Sequence, residues 1–213
     1  MRIQGISGSR GVAVGNVYRY IQEEIVIPDY TVAEEKVEEE IGKFAAAMAA
    51  TLKQLDTIRQ KALDEMGPEE AAIFEAHMQI AQDPSLSDGI KSLVESGHTN
   101  VVAATAQTIE TFANIFLGME DPYMRERGAD IKDIGDRLMR NMLGMNPRGL
   151  SHISGEVILV AQDLAPSDTA SLDKNVVKGI VTAAGGPTSH AAIMARTLEI
   201  PAVMGVGDIE SFV

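Results

Sequence analysis

GGPTSHAAIMARTLEIPAVMGVG, residues 185–207, decides how the rest of the chain is read. Immediately before it, Val176-Val177-Lys178-Gly179-Ile180-Val181-Thr182 is a short β-branched run that reads as a buried strand. Within it, Ala191, Ala192, Ala195 and Leu198 recur at helical spacing, and Pro201 is expected to stop that helix. The order is therefore strand, glycine turn, helix. Gly185 and Gly186 allow a tight turn and a close approach of backbone to a ligand, and either Thr188 or Ser189 can serve as N-cap, which leaves His190 in or beside the first helical turn. The start of a helix offers N–H donors and the positive end of the dipole, a combination that favours a phosphate or another dianion. An imidazole placed there is disfavoured as a cation and available as a nucleophile. Local pattern alone leaves two readings of His190: a capping or surface residue, or a phosphoryl acceptor whose added charge is stabilised by the helix end and by the hydroxyls of Thr188 and Ser189.

With 213 residues, of which 45% are apolar, the chain is long enough for two small cores. No apolar run reaches the ~18 to 20 residues of a spanning helix, and MRIQGISGSR has no apolar signal-peptide core, so a protein without a membrane role is expected. The absence of cysteine excludes disulfides, thiolate metal sites and cysteine nucleophiles, and fits a cytoplasmic location. No Walker A loop and no HExxH occur, so no nucleotide or metal site is expected in this chain and the phosphoryl group must come from elsewhere. Residues 21–147 hold 24 of the 31 Asp and Glu but only 11 of the 18 Lys and Arg, which places the whole net charge of −13 on the middle of the chain. That balance argues against nucleic acid and would steer a small basic protein to the middle segment; an acidic surface that merely keeps helices soluble fits equally.

Outward from the histidine stretch, the nearest strand-like segment is Glu156 to Ala161. At the other end of the chain, glycine punctuation and the alternation of Val12, Val14 and Val17 predict one or two strands within residues 1–20. Such strands must pair with distant ones, so the α/β domain is expected to be split, as 1–27 and 147–213, around an inserted helical segment, 28–146. In that segment a capping box at Thr31 and Glu34 opens a helix through Phe44, Met48, Leu52, Leu55, Ile58 and Leu63. Gly67-Pro68 ends it. A second helix runs to Asp83-Pro84. A third begins at Ser85, with Asp88 completing a box-like pattern, and ends near Gly97. Asn100 opens a fourth that runs to Leu117-Gly118. Asp121-Pro122 opens a fifth that closes at Asn146-Pro147. Short turns between long helices predict packed antiparallel hairpins. His98 and His152 lie in connections and are assigned no chemistry.

The pattern GG-x-TSH-x-A-x-x-AR followed by IPAV-x-G closely resembles the mobile phosphohistidine domain of the phosphoenolpyruvate-utilising enzymes, which include enzyme I of the sugar phosphotransferase system, phosphoenolpyruvate synthase and pyruvate phosphate dikinase. The resemblance to enzyme I extends through GISGSRGVAVG, AIFEAHMQIAQDPSL (72–86), ADIKDIGDRLMRNMLG (129–144) and VILVAQDLAPSDTASL (157–172), nearly the full chain. It implies an α/β fold, a swivelling phosphohistidine β/β/α domain interrupted by an all-α helical-hairpin subdomain. His190 would be phosphorylated on Nε2, with Gly186, Thr188, Ser189 and Arg196 stabilising the phosphoryl group and Thr169 hydrogen-bonding the imidazole. Without the resemblance Thr169 is a capping threonine, as Asp168 is a capping aspartate. Pro187 stands where enzyme I commonly carries arginine, which withdraws the expectation of a phosphate contact there and leaves the histidine untouched.

The resemblance further implies that the helical subdomain docks the phosphocarrier protein HPr, at positions matching Glu69, Ile73, His77, Met78 and Leu86. By residue type alone Ile73 and Met78 fit ordinary helix core, and His77 a surface or satisfied polar group. In enzyme I a further C-terminal domain binds phosphoenolpyruvate and Mg2+ and makes the dimer. A chain stopping at Ser211-Phe212-Val213 is expected to be a monomeric fragment, with no cofactor of its own, that does not autophosphorylate from phosphoenolpyruvate. Two other readings stay open: the histidine domain of a dikinase or synthase fed through a nucleotide-binding domain, and a regulatory module that docks a partner without transfer.

Overall fold

The computed structural model describes residues 2–146, 150, 153, 155–170 and 172–209. The chain divides into two compact units, Met1–Glu23 with Arg148–Val213, and Glu24–Pro147. The crossings thus fall at 23/24 and 147/148, against the expected 27/28 and 146/147. His152, Pro147 and residues 211–213, which figured in the sequence reading, lie outside the described residues.

The first unit is a five-stranded sheet of β1 (Ile6–Ser9), β2 (Asn16–Tyr20), β3 (Val157–Ala161), β4 (Val177–Thr182) and β5 (Ala202–Met204), in spatial order β1-β5-β4-β3-β2. β2, β3, β4 and β5 run parallel, and β1 pairs antiparallel with β5. The sequences VILVA and VKGIVT are apolar at most positions because these are the inner strands, buried along most of their length. Among the described residues the unit also holds two short helices: α6 (Pro166–Thr169) follows β3, and α7 (His190–Thr197) lies in the crossover from β4 to β5.

Val12 and Val14 do not belong to a strand. They are 93% and 90% exposed, in the link between β1 and β2. Those two strands occupy opposite edges, four inter-strand spacings or about 19 Å apart, so residues 10–15 must be stretched across the sheet end and have no ladder to join. The link passes over Pro201, Gly179 and Ile158 in turn, one from each strand region it crosses.

The second unit holds a 3-10 turn (Glu34–Lys36) and five helices: α1 (Val37–Glu65), α2 (Pro68–Ala81), α3 (Pro84–Glu95), α4 (Val101–Leu117) and α5 (Pro122–Leu143). Phe44, Leu86, Ile90, Val94, Val101, Ile109 and Ile131 form its main core, and Ala81, Ile134 and Leu138 extend it. The helix lengths and breaks agree with the sequence reading, but three local details differ. Thr31 caps nothing: it bridges Thr99, and the Val32 N–H donates to the His98 carbonyl at 2.7 Å, so this strip is tied to the α3–α4 connection and α1 begins without a side-chain cap. Asp83 caps α3 by accepting the Ser85 N–H at 2.8 Å, two residues ahead of the expected Ser85, because Pro84 takes the first helical position and needs no partner. Leu63 is 39% exposed, and Ala62 takes the buried position beside it.

One buried carboxylate joins three parts of this unit. Glu40, 3% exposed on α1, accepts from Lys43 Nζ at 2.6 Å, from Tyr30 Oη at 3.1 Å and from the Val101 N–H in the first turn of α4 at 2.9 Å. Asn100 adds to the same junction, capping α4 through the Ala103 N–H and donating to the Pro28 carbonyl at 2.8 Å. Burial opposes ionisation of Glu40, but the Lys43, Val101 and Tyr30 donors outweigh it and hold its carboxyl below the usual carboxylate range. Elsewhere α4 and α5 approach so closely that a β-carbon on Gly135 would lie 2.6 Å from two carbons of Ile109.

Two outcomes are expected. Glu40→Gln should lower stability at pH 7 by about 1.5–3 kcal/mol, since charge-assisted bonds to a buried group are lost. Because the folded carboxyl is depressed, its contribution is complete above the unfolded pKa of about 4.3 and fades as pH falls through the folded value, so urea midpoints of variant and parent should converge in acid. Gly135→Ala should destabilise by about 1–3 kcal/mol despite the better helix propensity of alanine, as Ile109 is forced from its place; a thermal midpoint at or above that of the parent would show that Ile109 repacks freely.

Candidate active site

β4 ends at Thr182, and the next residues are fixed on both sides before the helix begins. The Ala183 N–H donates to Ala161 and the Ala184 N–H to Gln162, beyond the end of β3, while Gly205 and Val206, beyond β5, donate to Ala184 and Thr182. Gly185 then turns the chain at φ +89°, a region that side chains with a β-carbon rarely occupy. Between the two candidate caps the structure selects Ser189. Its Oγ donates to the Gly186 carbonyl at 2.9 Å and accepts the Ala192 N–H at 3.4 Å, while Thr188 is exposed in the turn. His190 is accordingly the first residue of α7, half-buried.

The helix is anchored by Ala191, Ala192, Met194 and Ala195, all at most 2% exposed, and the three alanines let α7 sit close to β1 and β5. It ends before Pro201. Glu199 adopts φ +57° and the Ile200 N–H reaches back to the Ala195 carbonyl at 2.8 Å, so a left-handed C-terminal turn, here without glycine, stops α7.

Arg196 points back along α7 towards its N-terminus, as helical side chains do. Its Nη1 donates at 2.8 Å to the Pro187 carbonyl and at 2.8 Å to the Gly8 carbonyl of β1. In this state Arg196 therefore braces the turn that carries Gly186, Thr188 and Ser189 against the sheet. The backbone carbonyl of Pro187, the residue that departs from the family pattern, is what receives this brace.

Thr169 is fully buried at the end of α6, which packs against α7. Its hydroxyl donates to the carbonyl of Pro166 at 2.9 Å and lies 3.3 Å from that of Ala165, so the proton is directed into its own turn; a hydroxyl oxygen so engaged still accepts. Asp168, also fully buried, accepts the Ala165 N–H at 3.0 Å and caps α6 as read from the sequence. The same carboxylate receives Tyr20 Oη at 2.6 Å and Gln22 Nε2 at 3.3 Å. These two residues were missed, and nothing local in YRYIQ announces a partner 148 positions away.

In the helical unit the expected docking residues separate into two groups. Glu69 is exposed and Ile73 half-buried, on the face of α2 that continues through Ala76 and Ile80. Ala76 and Ile80 line a groove of about 480 Å3 whose walls include Leu86, Phe112, Phe116, Met124, Arg127 and Ile131. Leu86, 2% exposed, is part of the floor of that groove rather than an exposed side chain. His77 has no exposed surface, and direct docking through it is corrected: it packs edge-on to Phe74, with Nε2 3.2 Å from Asp130 and Nδ1 3.9 Å from Asp133 on α5. Met78 is half-buried beside this inward stripe. The aromatic pair Phe112 and Phe116, four residues apart in a chain with only 4% aromatics, was the overlooked signal of the groove.

Among the described residues no helix is long and apolar enough to cross a membrane. Residues 4–127 match the family described as PEP-utilising enzyme, N-terminal, and residues 153–213 match the PEP-utilising enzyme mobile domain. The chain is 43% identical over 210 residues to the phosphoenolpyruvate-protein phosphotransferase of Streptococcus equinus, a match that covers 98% of this chain and 36% of that protein. The protein of the same name from Priestia megaterium is 42% identical over 203 residues, covering 95% of this chain and 35% of its own length. The chain thus spans about a third of the length of these relatives. A solution NMR structure of an Enzyme I protein superposes with a TM-score of 0.82 at 42% identity, covering 100% of this chain and 86% of that one. The N-terminal domain of a nitrogen-type Enzyme 1 gives 0.66 at 26% identity, covering 99% and 86%. With both family regions present in order and the histidine stretch inside the second, the chain belongs to the PEP-utilising enzymes.

Proposed function

We propose that this chain accepts a phosphoryl group on His190 and exchanges it reversibly with the histidine of the small phosphocarrier protein HPr, as the N-terminal part of a phosphoenolpyruvate-protein phosphotransferase serving sugar uptake. The observation that carries the reading is His190 at the first position of a serine-capped helix, held beside the buried Thr169 turn. In the transfer step a lone pair of the His190 imidazole forms a P–N bond as the P–N bond to the HPr imidazole breaks, and the electron pair of that bond stays with the departing ring. Such a transfer asks little of the protein beyond in-line positioning and donors for the three spread oxygens. The α7 N-terminus, the Gly186 backbone and the Thr188 hydroxyl would supply those donors, Ser189, whose hydroxyl proton is held by the Gly186 carbonyl, would shape the turn that presents them, and Arg196 would keep them in register with β1.

The helical unit would receive HPr. An apolar groove with Phe112, Phe116 and Leu86, on a segment that carries the entire acidic excess, fits a small carrier with an apolar contact patch and a basic rim. Phosphoenolpyruvate and Mg2+ would be handled by the further domain that the longer relatives possess.

Incubation with phosphorylated HPr should add one acid-labile phosphoryl group to the parent chain, visible by intact mass, and none to His190→Ala. Labelling of that variant to the parent level would place the acceptor elsewhere. Phe116→Asp should weaken HPr binding by at least tenfold in a titration, consistent with loss of an aromatic anchor, while leaving the fold unchanged. Unaltered affinity would remove the groove from the docking surface.

A further inference from the structure

We propose that Tyr20 is a positioning residue for phosphoryl transfer at His190, acting through Asp168 on Thr169. The inference rests on the reading of His190 as the phosphoryl acceptor and names a residue that neither the family pattern nor the local sequence marks.

A four-residue helix such as α6 cannot hold its place by its own hydrogen bonds, because nucleation costs more than one turn returns. Its position must come from outside. Ala170 and Leu172 behind it are 1% exposed and anchor its far end, but its start is set by the Asp168 carboxylate, which caps Ala165 and is itself 0% exposed. A carboxylate with no access to water depends on protein donors to remain charged. Two of those donors come from the far end of β2: Tyr20 Oη at 2.6 Å to Oδ1, and Gln22 Nε2 at 3.3 Å to Oδ2. Tyr20 makes the shorter bond and faces the oxygen that the cap does not use.

Tyr20 is well placed to act as a fixed reference. It is the last residue of β2 and pairs in register with Ala161, the last residue of β3, so its backbone is held by the sheet. From Ala161 the chain needs only residues 162–165 to reach α6. The phenol therefore closes a short loop: β2 to β3 by the ladder, β3 to α6 by the chain, and α6 back to β2 by the Tyr20–Asp168 bond. Thr169, next to Asp168 and fully buried, lies on the turn that this loop secures, against the helix that begins with His190. Without the phenol hydroxyl, Asp168 keeps the Ala165 cap and Gln22, so the turn would form, but its tilt would no longer be referred to the sheet. In-line transfer between two imidazoles is sensitive to displacements well under the length of a bond, and that sensitivity is what the loop would serve.

The test uses the full chain described here and phosphorylated HPr as donor. Tyr20→Phe removes one oxygen and keeps the ring. Its rate of transfer to His190 should fall roughly 10- to 100-fold at saturating donor, with the donor concentration for half-maximal rate unchanged. The imidazole 15N resonances of His190 should also move. A residue that merely supports the fold would not give the decisive result, which is non-additivity: in a Thr169→Val background, Tyr20→Phe should cost almost nothing more. Asp168→Asn, which keeps the shape and weakens the Tyr20 bond, should reproduce the Tyr20→Phe rate in case the first variant is poorly folded. An undiminished rate in Tyr20→Phe, or losses that multiply in the double variant, would overturn the inference. Failure of the parent chain to take phosphate on His190 would instead overturn the reading beneath it, and the two failures are distinct.

Discussion

The parallel pairing of Ile180 with Ala202 and of Val181 with Val203 is the constraint from which the reactive end of the molecule follows. Parallel neighbours cannot be joined by a hairpin, so the chain must leave β4, cross a face of the sheet and return. The crossover is the turn at Gly185 and the helix α7, and its first helical residue is His190. The histidine stands where strand ends, turn backbone and helix N-terminus converge, the general location of ligand chemistry in α/β sheets. Each neighbouring feature serves to keep that convergence narrow. Small residues on α7 allow close packing, Ser189 consumes one orphan donor, and Arg196 links turn and strand through two carbonyls.

The helical unit works under a different constraint. Its five helices are long and their breaks are sharp, but long antiparallel helices leave their relative heights open unless something polar pins them. Glu40 does so between α1, α4 and the strip that enters the unit, and the amide pair Gln54 with Asn141 does so between α1 and α5, joined by Thr51 and Arg137. His77 with Asp130 adds a contact between α2 and α5. Glu40, Thr51 and Arg137 are buried and Gln54 and Asn141 half-buried, so their hydrogen bonds are expensive to lose, which selects one register where apolar packing alone would tolerate several. With the registers set, the gap lined by Leu86, Phe112, Phe116 and Ile131 persists as a groove.

Several sequence expectations failed for reasons of tertiary structure. Thr31 and Glu34 have the spacing of a capping box, but Thr31 was claimed by a bridge to Thr99. Val12 and Val14 alternate like a strand, but the opposite-edge placement of β1 and β2 turned them into a taut link. His77 matched a docking position in the family and proved to be core. In each case the local chemistry was sound and a distant partner took precedence.

What the sequence determined by itself was most of what depends on neighbours within about one turn: the strand, glycine turn and capped helix around His190 and the five helices with their Pro and Asn boundaries; strands at both ends of the chain also implied the split of the α/β unit. Periodicity, capping and turn chemistry are short-range, and they survive in one dimension. The tertiary structure alone decided which residues meet across long separations: Tyr20 with Asp168, Glu40 with Val101, Arg196 with Gly8. Those pairings are set by strand order and helix register, which arise from packing the whole chain at once, and no window of the sequence contains both partners.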